Sequence, residues 1–451
     1  MERMEIKIPQ YAAELMQVLE QAGYEVWCVG GCVRDALMGV TPHDWDLCTS
    51  AMPDEMMKAF AGYRTIPTGL KHGTLTVLNR GEMVEITTYR CDGDYLDHRR
   101  PESVTFVRDI RSDLERRDFT MNAICMNLRG ELFDPFDGEG DIKRGLIRCV
   151  GEPRRRFDED ALRIFRAVRF AAKTGFPIDG ETLRAAMDMR SLLDEVSAER
   201  LYSELRSLLI QPYAGSVLRE YREIIAQVIP EIRASFDFKQ NNPHHCYDIW
   251  EHITHSVENI RPDPTLRTVM LLHDIGKPAK HTVDANGIDH FKLHQLAGAE
   301  MANVILRRLR SDTASRKRIT ALVAEHDNRI PAEVRPVKRF IAKYGYEFYA
   351  DWLEVRRADT LAQSQFRREE KLRELDELER IAAELREQQS CLKITDLALG
   401  GNDIMALGFN GREIGEMLKL MLAEVIEERL DNTREALTAF AEERCADDKE
   451  A

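Results

Sequence analysis

The most constraining feature of the sequence is an apolar stretch that ends at two adjacent glycines. Residues 25–29 have the β-branched and aromatic composition of a strand, and Gly30 and Gly31 interrupt it. Adjacent glycines let the backbone adopt unusual dihedral angles and approach a bulky ligand closely. Residues 32–38 then predict a short helix that ends at Gly39. Such a turn before a helix N-terminus is a favourable place for a phosphate group.

Two acidic residues follow soon after this turn. The tetrapeptide D-W-D-L at 44–47 predicts a second strand, on which side chains two apart share a face. Asp44 and Asp46 therefore point the same way, and two neighbouring carboxylates repel each other unless a cation lies between them. Mg²⁺ is the expected cation because it prefers carboxylates combined with phosphate oxygens. A lone D-x-D is weak evidence, since residues 92–94 form another that indicates a plain turn, but the spacing to the glycine pair makes the combination specific.

The pattern G-G-x-V-R-D followed by D-W-D resembles the nucleotidyltransferase superfamily that includes DNA polymerase beta. More narrowly, it is similar to the class II, bacterial-type tRNA nucleotidyltransferases, or CCA-adding enzymes, and their poly(A) polymerase relatives. The resemblance implies an α+β fold, with a polymerase-beta-type head of mixed sheet and helices and an all-α neck, HD body and tail. The expected boundaries are 1–148 for the head, 149–215 for the neck, 216–365 for the HD-type domain and 366–451 for the tRNA-binding tail.

The composition fits a multidomain globular protein. A chain of 451 residues is too long for one hydrophobic core, so about two to four domains are expected. Hydrophobic residues make up 43% and charged residues 31%, no apolar run reaches the ~18 residues of a membrane span, and the N-terminus lacks a signal-peptide core. The nine cysteines include no C-x-x-C pair, which favours reduced thiols in the cytoplasm over a disulfide framework.

The net charge of −14 by itself argues against a nucleic-acid-binding protein. Arginine clusters nevertheless occur, among them those within residues 116–117, 154–156 and 307–310. A chain that is acidic overall can line one groove with arginine, so the charge predicts a modest and salt-sensitive affinity for RNA.

Further residues complete the predicted nucleotide site. Glu85 lies among β-forming residues and either supplies a third metal-binding carboxylate or faces solvent on an edge strand. Residues 116–124 resemble the family's second motif, in which Arg117 can grip phosphate with a bidentate fork and Asn122 can bind a ribose hydroxyl. The resemblance implies Asp44, Asp46 and Glu85 as catalytic residues, with Mg²⁺ on the two aspartates. It implies nucleotide binding by Gly30, Gly31, Arg34, Arg117, Asp118, Asn122, Asp160, Arg163 and Arg166.

A strong helix is predicted over residues 159–170, which would place Asp160 and Arg163 on one helix face. Asp160 can accept a hydrogen bond from the exocyclic amine of C or A, and Arg163 can donate to the neighbouring ring nitrogen. G and U present the opposite polarity, so such a pair would select CTP and ATP without a nucleic-acid template. The alternative is an ordinary intrahelical ion pair, but E-D-x-x-R is the base-reading motif of the resembled family.

Three shorter segments also match the family. Residues 90–107 are polar and predict an exposed hairpin loop, and a flexible loop at this place supports addition of the final A in the resembled enzymes. Turn-rich residues 134–141 and a short strand at 145–148 resemble the third motif, which links head and neck. Ser197 is the predicted N-cap of a further helix that supports the neck.

A second set of metal-binding residues lies between about residues 238 and 365. His252 and the adjacent pair His273-Asp274 follow the order H…HD…D of the HD phosphohydrolase superfamily, which this region resembles. Asp327 or Asp359 closes the series, and the sequence leaves both open. Because imidazole and carboxylate together suit transition metals, Mn²⁺, Ni²⁺ or Co²⁺ is expected at this site.

Other histidines surround this series. His294 and His326 are candidate extra ligands or phosphate partners, and His244, His245 and His255 leave the identity of the first ligand open. Hydrolysis of a phosphate ester is a predicted accessory activity, and a scaffold without activity is the alternative.

The last segment is predicted to be helical and to bind tRNA. Residues 367–388 predict a long, solvent-exposed helix, and a glycine-rich stretch at 400–415 interrupts the pattern. Taken together, the sequence predicts a cytoplasmic enzyme that adds C, C and A to the 3′ end of tRNA from CTP and ATP. The rivals are a poly(A) polymerase, an enzyme that adds only part of CCA, and an HD phosphohydrolase with a nucleotide-binding head. The sequence does not give the oligomeric state.

Overall fold

The computed structural model describes residues 6–93 and 104–450, with only the backbone of Asp92 and of residues 446–450. The chain forms two compact units. The first comprises Met1–Arg233 and Arg308–Ser311, and the second comprises Ala234–Arg307 and Asp312–Ala451. The finer division into head, neck, HD domain and tail stays a prediction.

The first unit combines helices and strands. In chain order they are α1 (Gln10–Gln21), β1 (Val26–Val29), α2 (Gly31–Leu37), β2 (Leu47–Thr49), α3 (Pro53–Ala59), β3 (Arg64–Ile66), β4 (Thr74–Asn79), β5 (Glu82–Thr88), β6 (Arg90–Asp92), β7 (Val104–Phe106), α4 (Ile110–Glu115), β8 (Cys125–Met126), β9 (Leu132–Phe133), α5 (Gly138–Arg144), α6 (Pro153–Glu159), α7 (Leu162–Thr174), α8 (Gly180–Met189), α9 (Ala198–Leu209), α10 (Ala214–Glu220) and α11 (Arg222–Val228).

The second unit is almost entirely helical. Its elements are α12 (Ile249–Glu258), α13 (Pro264–Leu272), β10 (Thr282–Val283), β11 (Asp289–His290), α14 (His294–Arg308), α15 (Thr313–Glu325), α16 (Val334–Tyr344), α17 (Tyr346–Leu361), α18 (Arg368–Glu387), α19 (Gly401–Ala406), α20 (Arg412–Ile426) and α21 (Arg434–Glu450). Short 3₁₀ turns across the chain lie at Leu70–His72, Thr120–Asn122, Arg190–Glu195, Pro230–Ser235, Pro278–Lys280 and Ile394–Asp396.

A mixed sheet forms the centre of the head. Its strands run in the order β3-β4-β5-β2-β1-β8-β9, with β2 and β5 parallel and the other neighbours antiparallel. The β4–β5 hairpin turns at Arg80 and Gly81, both with positive φ, as tight two-residue hairpins require. Leu15, Met16 and Leu19 of α1 join the strand residues in one buried core. The predicted α+β head is confirmed.

Several predicted elements differ in detail from those observed. Residues 44–46 precede β2, because its ladder with β5 begins only at the pair Leu47–Ile86. Before the hairpin, residues 64–79 form β3, a 3₁₀ turn and β4. The turn-rich segment 134–141 already contains the start of α5. Residues 145–148 form no regular strand, and Ile147 makes an isolated bridge to Ile178.

The helix predicted over 159–170 is interrupted at Asp160. Its φ of −145° and ψ of 100° are extended, so α6 ends at Glu159 and α7 begins at Leu162. The Asp160 carboxylate accepts from the Leu162 backbone N–H at 3.2 Å, which is the local side-chain bonding that competes with helix continuation. Asp160 and Arg163 therefore do not share a helix face, and the alternative of an intrahelical ion pair is also wrong.

The remaining predictions concern the helix after Ser197 and the polar stretch 90–107. The helix after Ser197 is confirmed as α9, although the Ser197 side chain makes no capping hydrogen bond. The polar stretch 90–107 begins and ends in the paired strands β6 and β7. The loop expected between them lies mostly in residues 94–103, outside the described residues.

The second unit buries its apolar helix faces internally. α12, α13, α15 and α17 pack against one another, with Trp250 and Trp352 among the largest buried side chains. The helix predicted over 367–388 is α18, which buries Leu375 and Leu378 on one face, so it is not wholly solvated. The all-α expectation is wrong at one place, because β10 and β11 pair as a short hairpin. Among the described residues, no helix is both long and apolar enough to cross a bilayer.

Candidate functional site

Three carboxylates lie near one another at the edge of the β2–β5 pair. Trp45 and Leu47 are buried, so the alternate residues Asp44 and Asp46 are left exposed. Since Leu47 pairs with Ile86 on the parallel strand β5, Asp46 lies opposite Glu85, one position earlier on both strands. Desolvation, and then the negative charges of Asp44 and Glu85, raise the pKa of Asp46 to about 6. This uncompensated cluster of oxygen ligands fits a hard divalent cation.

The glycine turn lies against Arg117. Gly30 has a φ of +80°, and a Cβ atom there would lie 3.1 Å from Arg117 Nη1. The other end of the guanidinium is fixed by Asp113, whose Oδ2 accepts from Arg117 Nη2 at 3.1 Å. A Cβ on Gly31 would make only ordinary contacts, so steric demand for glycine applies to Gly30 alone.

A polar network joins the glycine turn to α7. Arg34 Nη1 donates to Asn122 Oδ1 at 2.6 Å, and Asn122 Nδ2 donates to Asp118 Oδ1 at 2.9 Å. Arg166 grips Asp118 Oδ2 through Nε at 3.0 Å and Nη2 at 2.8 Å. Burial opposes ionisation of Asp118, but Arg166 and Asn122 outweigh it and hold its pKa at about 2. Four of the predicted nucleotide-binding residues are thus brought into one rigid group.

The predicted base-reading residues have separate partners. Asp160 pairs with Arg200, whose Nη2 lies 2.8 Å from Asp160 Oδ2. Arg163 is buried and donates to Glu159 Oε2 at 2.8 Å and to the carbonyl oxygen of Arg116, also at 2.8 Å. Arg163 is therefore anchored to the main chain of the second motif.

Four histidines of the second unit share one orientation. His252 Nδ1 lies 3.2 Å from the carbonyl oxygen of Ala362. The Nδ1 atoms of His273, His294 and His326 lie 2.7–2.8 Å from the carbonyl oxygens of the residues three positions earlier. A carbonyl only accepts, so each Nδ1 carries a proton and each Nε2 faces the cluster.

Asp274 joins these histidines into two half-sites. Its Oδ2 lies 3.3 Å from Nε2 of both His252 and His273. Its Oδ1 lies 3.1 Å from His294 Nε2 and 3.6 Å from His326 Nε2. Each half-site brings three ligand atoms within 4.8 Å of one another. Asp274 is buried and belongs to both groups of ligand atoms, and the combination of imidazole nitrogens with a carboxylate fits a divalent transition metal.

The geometry distinguishes the alternatives that the sequence left open. Asp359 Oδ1 lies 2.9 Å from His252 Nε2, whereas Asp327 is exposed and lies 3.8 Å from Arg329. His255 is bonded to Glu258 and so points away from the cluster. His252 and Asp359 therefore lie within the cluster, whereas His255 and Asp327 do not.

The protonation of the cluster follows from its carboxylates. Burial alone would lower the pKa of His252, but hydrogen bonds with Asp274 and Asp359 raise it to about 9. A metal ion would displace this proton, so binding is expected to release a proton near neutral pH. His245 lies beside His252, with ring centroids 5.4 Å apart, and burial lowers its pKa to about 2.

The turn after Asp274 is closely packed. A Cβ atom on Gly276 would lie 2.3 Å from the carbonyl oxygen of His294 and 2.5 Å from the backbone nitrogen of Gly298. Only glycine lets this turn approach α14 so closely, and that approach brings His294 to Asp274.

Three family descriptions match separate parts of the chain. Residues 26–148 match "Poly A polymerase head domain", residues 175–235 match "Probable RNA and SrmB- binding site of polymerase A", and residues 291–441 match "tRNA nucleotidyltransferase domain 2 putative". A CCA-adding enzyme of Geobacillus thermodenitrificans is 50% identical over 209 residues, which is 46% of this chain and 51% of that protein. One from Lactiplantibacillus plantarum is 47% identical over 208 residues, with the same coverage. The chain thus spans about half the length of the curated relatives it matches.

A solved structure extends the likeness to both units. The CCA-adding enzyme of Bacillus stearothermophilus in complex with CTP matches 98% of this chain and 98% of its own, with a TM-score of 0.72 and 28% identity. The chain is therefore similar to CCA-adding enzymes over both units, and its residues 26–148 are similar to a poly(A) polymerase head. The Thermotoga maritima CCA-adding enzyme complexed with tRNA shares the fold, with a TM-score of 0.57 and 20% identity over 96% of this chain and 95% of that one.

The carboxylate oxygens of Asp44, Asp46 and Glu85 are a donor set that would suit a divalent cation. Sequence reasoning missed Asp113, Lys173 and Glu204, which hold the predicted residues in place. Asp113 had a detectable signal, because it lies three and four positions before Arg116 and Arg117 at the spacing of helical ion pairs. No sequence pattern indicates the contacts of Lys173 and Glu204, since their partners lie more than thirty residues away.

The carboxylate cluster predicts a stability cost at Asp46. A pKa raised in the folded state means that ionisation opposes folding, and this cost grows as pH rises from about 4 to about 6. Asp46→Asn should therefore raise the melting temperature by about 1–2 °C at pH 7.5 in EDTA and have no effect near pH 4. Differential scanning fluorimetry measures this. Mg²⁺ should stabilise the wild type more than the variant, and an equal gain at both pH values would contradict the argument.

The geometry of the histidine cluster predicts which aspartate binds metal. Asp359→Ala should weaken Mn²⁺ binding by at least about tenfold, because it removes a carboxylate from the buried cluster. Asp327→Ala is the matched control, since this carboxylate is exposed and lies outside the cluster. Isothermal titration calorimetry of the apo-protein gives both affinities. Equal loss in the two variants, or no loss in Asp359→Ala, would exclude the assigned ligand.

Proposed function

We propose that this protein adds C, C and A to the 3′ end of tRNA from CTP and ATP. The observation that carries the proposal is the convergence of Asp44, Asp46 and Glu85 beside a glycine turn, in a chain whose named relatives are CCA-adding enzymes. The reaction joins the tRNA 3′ hydroxyl to the α-phosphate of the nucleotide and releases pyrophosphate.

The head residues have distinct proposed roles. Asp44, Asp46 and Glu85 hold Mg²⁺, which supplies charge neutralisation for the triphosphate and activation of the attacking hydroxyl. Arg117 already lies against the glycine turn, so its guanidinium is placed to donate to the nucleotide phosphates. Arg34, Asn122, Asp118 and Arg166 keep that turn and the neck in a fixed relation. Because their hydrogen bonds need no rearrangement before binding, the site is preorganised.

We assign the choice of base to Asp160 and Arg163, although these two residues do not share a helix face. The carboxylate of Asp160 is half-buried and has one arginine partner, which a base amine can replace. Arg163 is held by main-chain oxygens, so its donors keep a fixed position. In this proposal Asp160 supplies an acceptor and Arg163 a donor, a combination that suits C and A and opposes G and U.

The partners follow from this reaction. The proposed substrates are tRNA, CTP and ATP, and the tail is proposed to contact the tRNA. All nine cysteines are free, five of them fully buried, which suits the reducing cytoplasm where tRNA is processed. A poly(A) polymerase or an enzyme adding only part of CCA would share the same carboxylates, so nucleotide use decides among them.

The first test is nucleotide incorporation into tRNA that lacks its CCA end, with each labelled nucleotide supplied separately. The wild type should incorporate C and then A, but neither U nor G. Asp44→Ala or Asp46→Ala should abolish both steps, a loss of at least ~10³-fold, because both steps share one metal site. Normal A addition by either variant would exclude this assignment, and incorporation of A alone by the wild type would favour a poly(A) polymerase.

The second test concerns base choice. Asp160→Ala and Arg163→Ala should relax discrimination against UTP and GTP by about tenfold or more, since each removes one half of the base contact. Arg200→Ala is the matched control, because it breaks the same ion pair but leaves the Asp160 carboxylate. If Arg200→Ala relaxes selectivity as much as Asp160→Ala while all variants remain folded, Asp160 acts only as an ion-pair partner.

A second candidate function is favoured by the histidine cluster. We propose that it binds two divalent transition-metal ions and hydrolyses phosphate esters. Four aligned Nε2 atoms and a bridging buried carboxylate are the supporting observations. Metal ions held there would supply an activated water at neutral pH.

The independence of the two activities provides the third test. The two sites share no ligands, so Asp274→Ala should lose metal-dependent phosphatase or phosphodiesterase turnover and retain nucleotide addition. Asp44→Ala should do the reverse. Assays near neutral pH should include Mn²⁺, Ni²⁺, Co²⁺ and Mg²⁺, because neutral imidazole ligands favour the softer ions. Absence of turnover with all four metals would reduce the cluster to a structural role.

A further inference from the structure

We propose that Lys371 and Arg329 form a second anion-binding subsite in the cavity beside the histidine cluster. The subsite would take a phosphate or carboxylate that the substrate carries in addition to the group being hydrolysed. This inference rests on the proposed hydrolytic function, and its test below separates the two.

The cavity is large enough for such a substrate. Its volume is about 550 Å³, and its lining includes Asp274, Asp359, His294 and His326 of the cluster. A cavity of this size accommodates a small molecule. One region of the wall therefore carries the metal ligands, and the remainder is available to position the rest of the substrate.

Lys371 comes from the first turn of α18, far along the chain from the H…HD…D series. Its ammonium donates to Gln363 Oε1 at 2.5 Å and lies 3.2 Å from His244 Nδ1. Within residues 6–93 and 104–450, it forms no ion pair with a carboxylate. An ammonium that lines a cavity with only neutral partners is ready to pair with an anion from solution.

Neighbouring charges reinforce this positive potential. Arg329 lines the same cavity, and its contact with Asp327 is long, at 3.8 Å. Desolvation, followed by the charges of Lys371 and Arg329, lowers the pKa of His244, so this partner of Lys371 is a neutral imidazole. Desolvation also lowers the pKa of Lys371, and Asp359 opposes that shift.

Lys277 has a different position and role. It is buried, and its ammonium lies 2.6 Å from Asp274 Oδ2 and 2.9 Å from Gln240 Oε1. Lys277 is therefore committed to the metal-binding carboxylate. Lys371 forms no ion pair among the described residues, and Arg329 lies 3.8 Å from Asp327, which also lines the cavity. An additional anion on the substrate is therefore expected to lie near Lys371 and Arg329.

A matched pair of substrates tests the subsite. AMP carries only the phosphate to be hydrolysed, whereas ADP presents a terminal phosphate for hydrolysis and an inner phosphate as the additional anion. In both cases water forms a new P–O bond, the ester or anhydride P–O bond breaks, and inorganic phosphate leaves. Phosphate release by the full-length, Mn²⁺-loaded protein gives KM and kcat for each nucleotide.

Lys371→Met should raise the ratio of the KM values for ADP and AMP by about tenfold with little change in kcat, because it removes one charge-assisted contact. Lys371→Arg should restore most of the ratio by keeping the charge. Lys317→Met, which changes an exposed lysine of α15, is the control and should match the wild type. A structural role for Lys371, such as tying α18 to Gln363, would affect both nucleotides equally and overturn the proposal.

Failure of hydrolysis is distinguishable from failure of the subsite. If the wild type releases no phosphate from either nucleotide, the hydrolytic function is wrong, and calorimetric binding of ADP and AMP to the Mn²⁺-loaded proteins decides the subsite. Nucleotide binding by the head is the same in the wild type and in Lys371→Met, so it does not affect the comparison. Loss of the preference for ADP in the variant would support the subsite, and an unchanged preference would overturn it.

Discussion

The head depends on buried carboxylates that arginines keep ionised. Asp113 is buried and holds both Arg116 and Arg117, and Asp118 is held by Arg166. In each case the guanidinium overcomes the desolvation that would otherwise neutralise the acid. Removing one member would leave an unpaired buried charge, which is far more costly than losing a surface ion pair. These pairs therefore fix where Arg117 lies relative to the glycine turn.

The three carboxylates at the β2–β5 edge lack a comparable counter-charge. Asp44, Asp46 and Glu85 face one another closely enough to raise the pKa of Asp46, while Arg117 lowers it only weakly. Arginines thus keep the buried structural acids paired, whereas the proposed catalytic acids repel one another. Perturbed carboxylates of this kind gather at functional sites because a bound cation relieves the repulsion.

In the second unit, the main chain decides which nitrogen each histidine presents. Carbonyl oxygens lie next to Nδ1 of His252, His273, His294 and His326, so four Nε2 lone pairs converge on Asp274. For His273, His294 and His326, the carbonyl belongs to the residue three positions earlier. His273 and His326 directly follow a helix, and His294 begins one. Local helix geometry is therefore what aligns ligands that are distant in sequence.

The sequence determined the local features: the glycine turn, the alternation around Trp45, the His273-Asp274 pair and the α+β head. Each depends on neighbouring residues, whose φ, ψ and face are set by short-range sterics. The sequence did not determine that Asp160 would break its helix and pair with Arg200, or that Asp359 rather than Asp327 would reach His252. Those outcomes depend on long-range packing, because a carboxylate takes whichever cation or imidazole the fold brings within hydrogen-bonding distance. Only the tertiary structure supplies that distance.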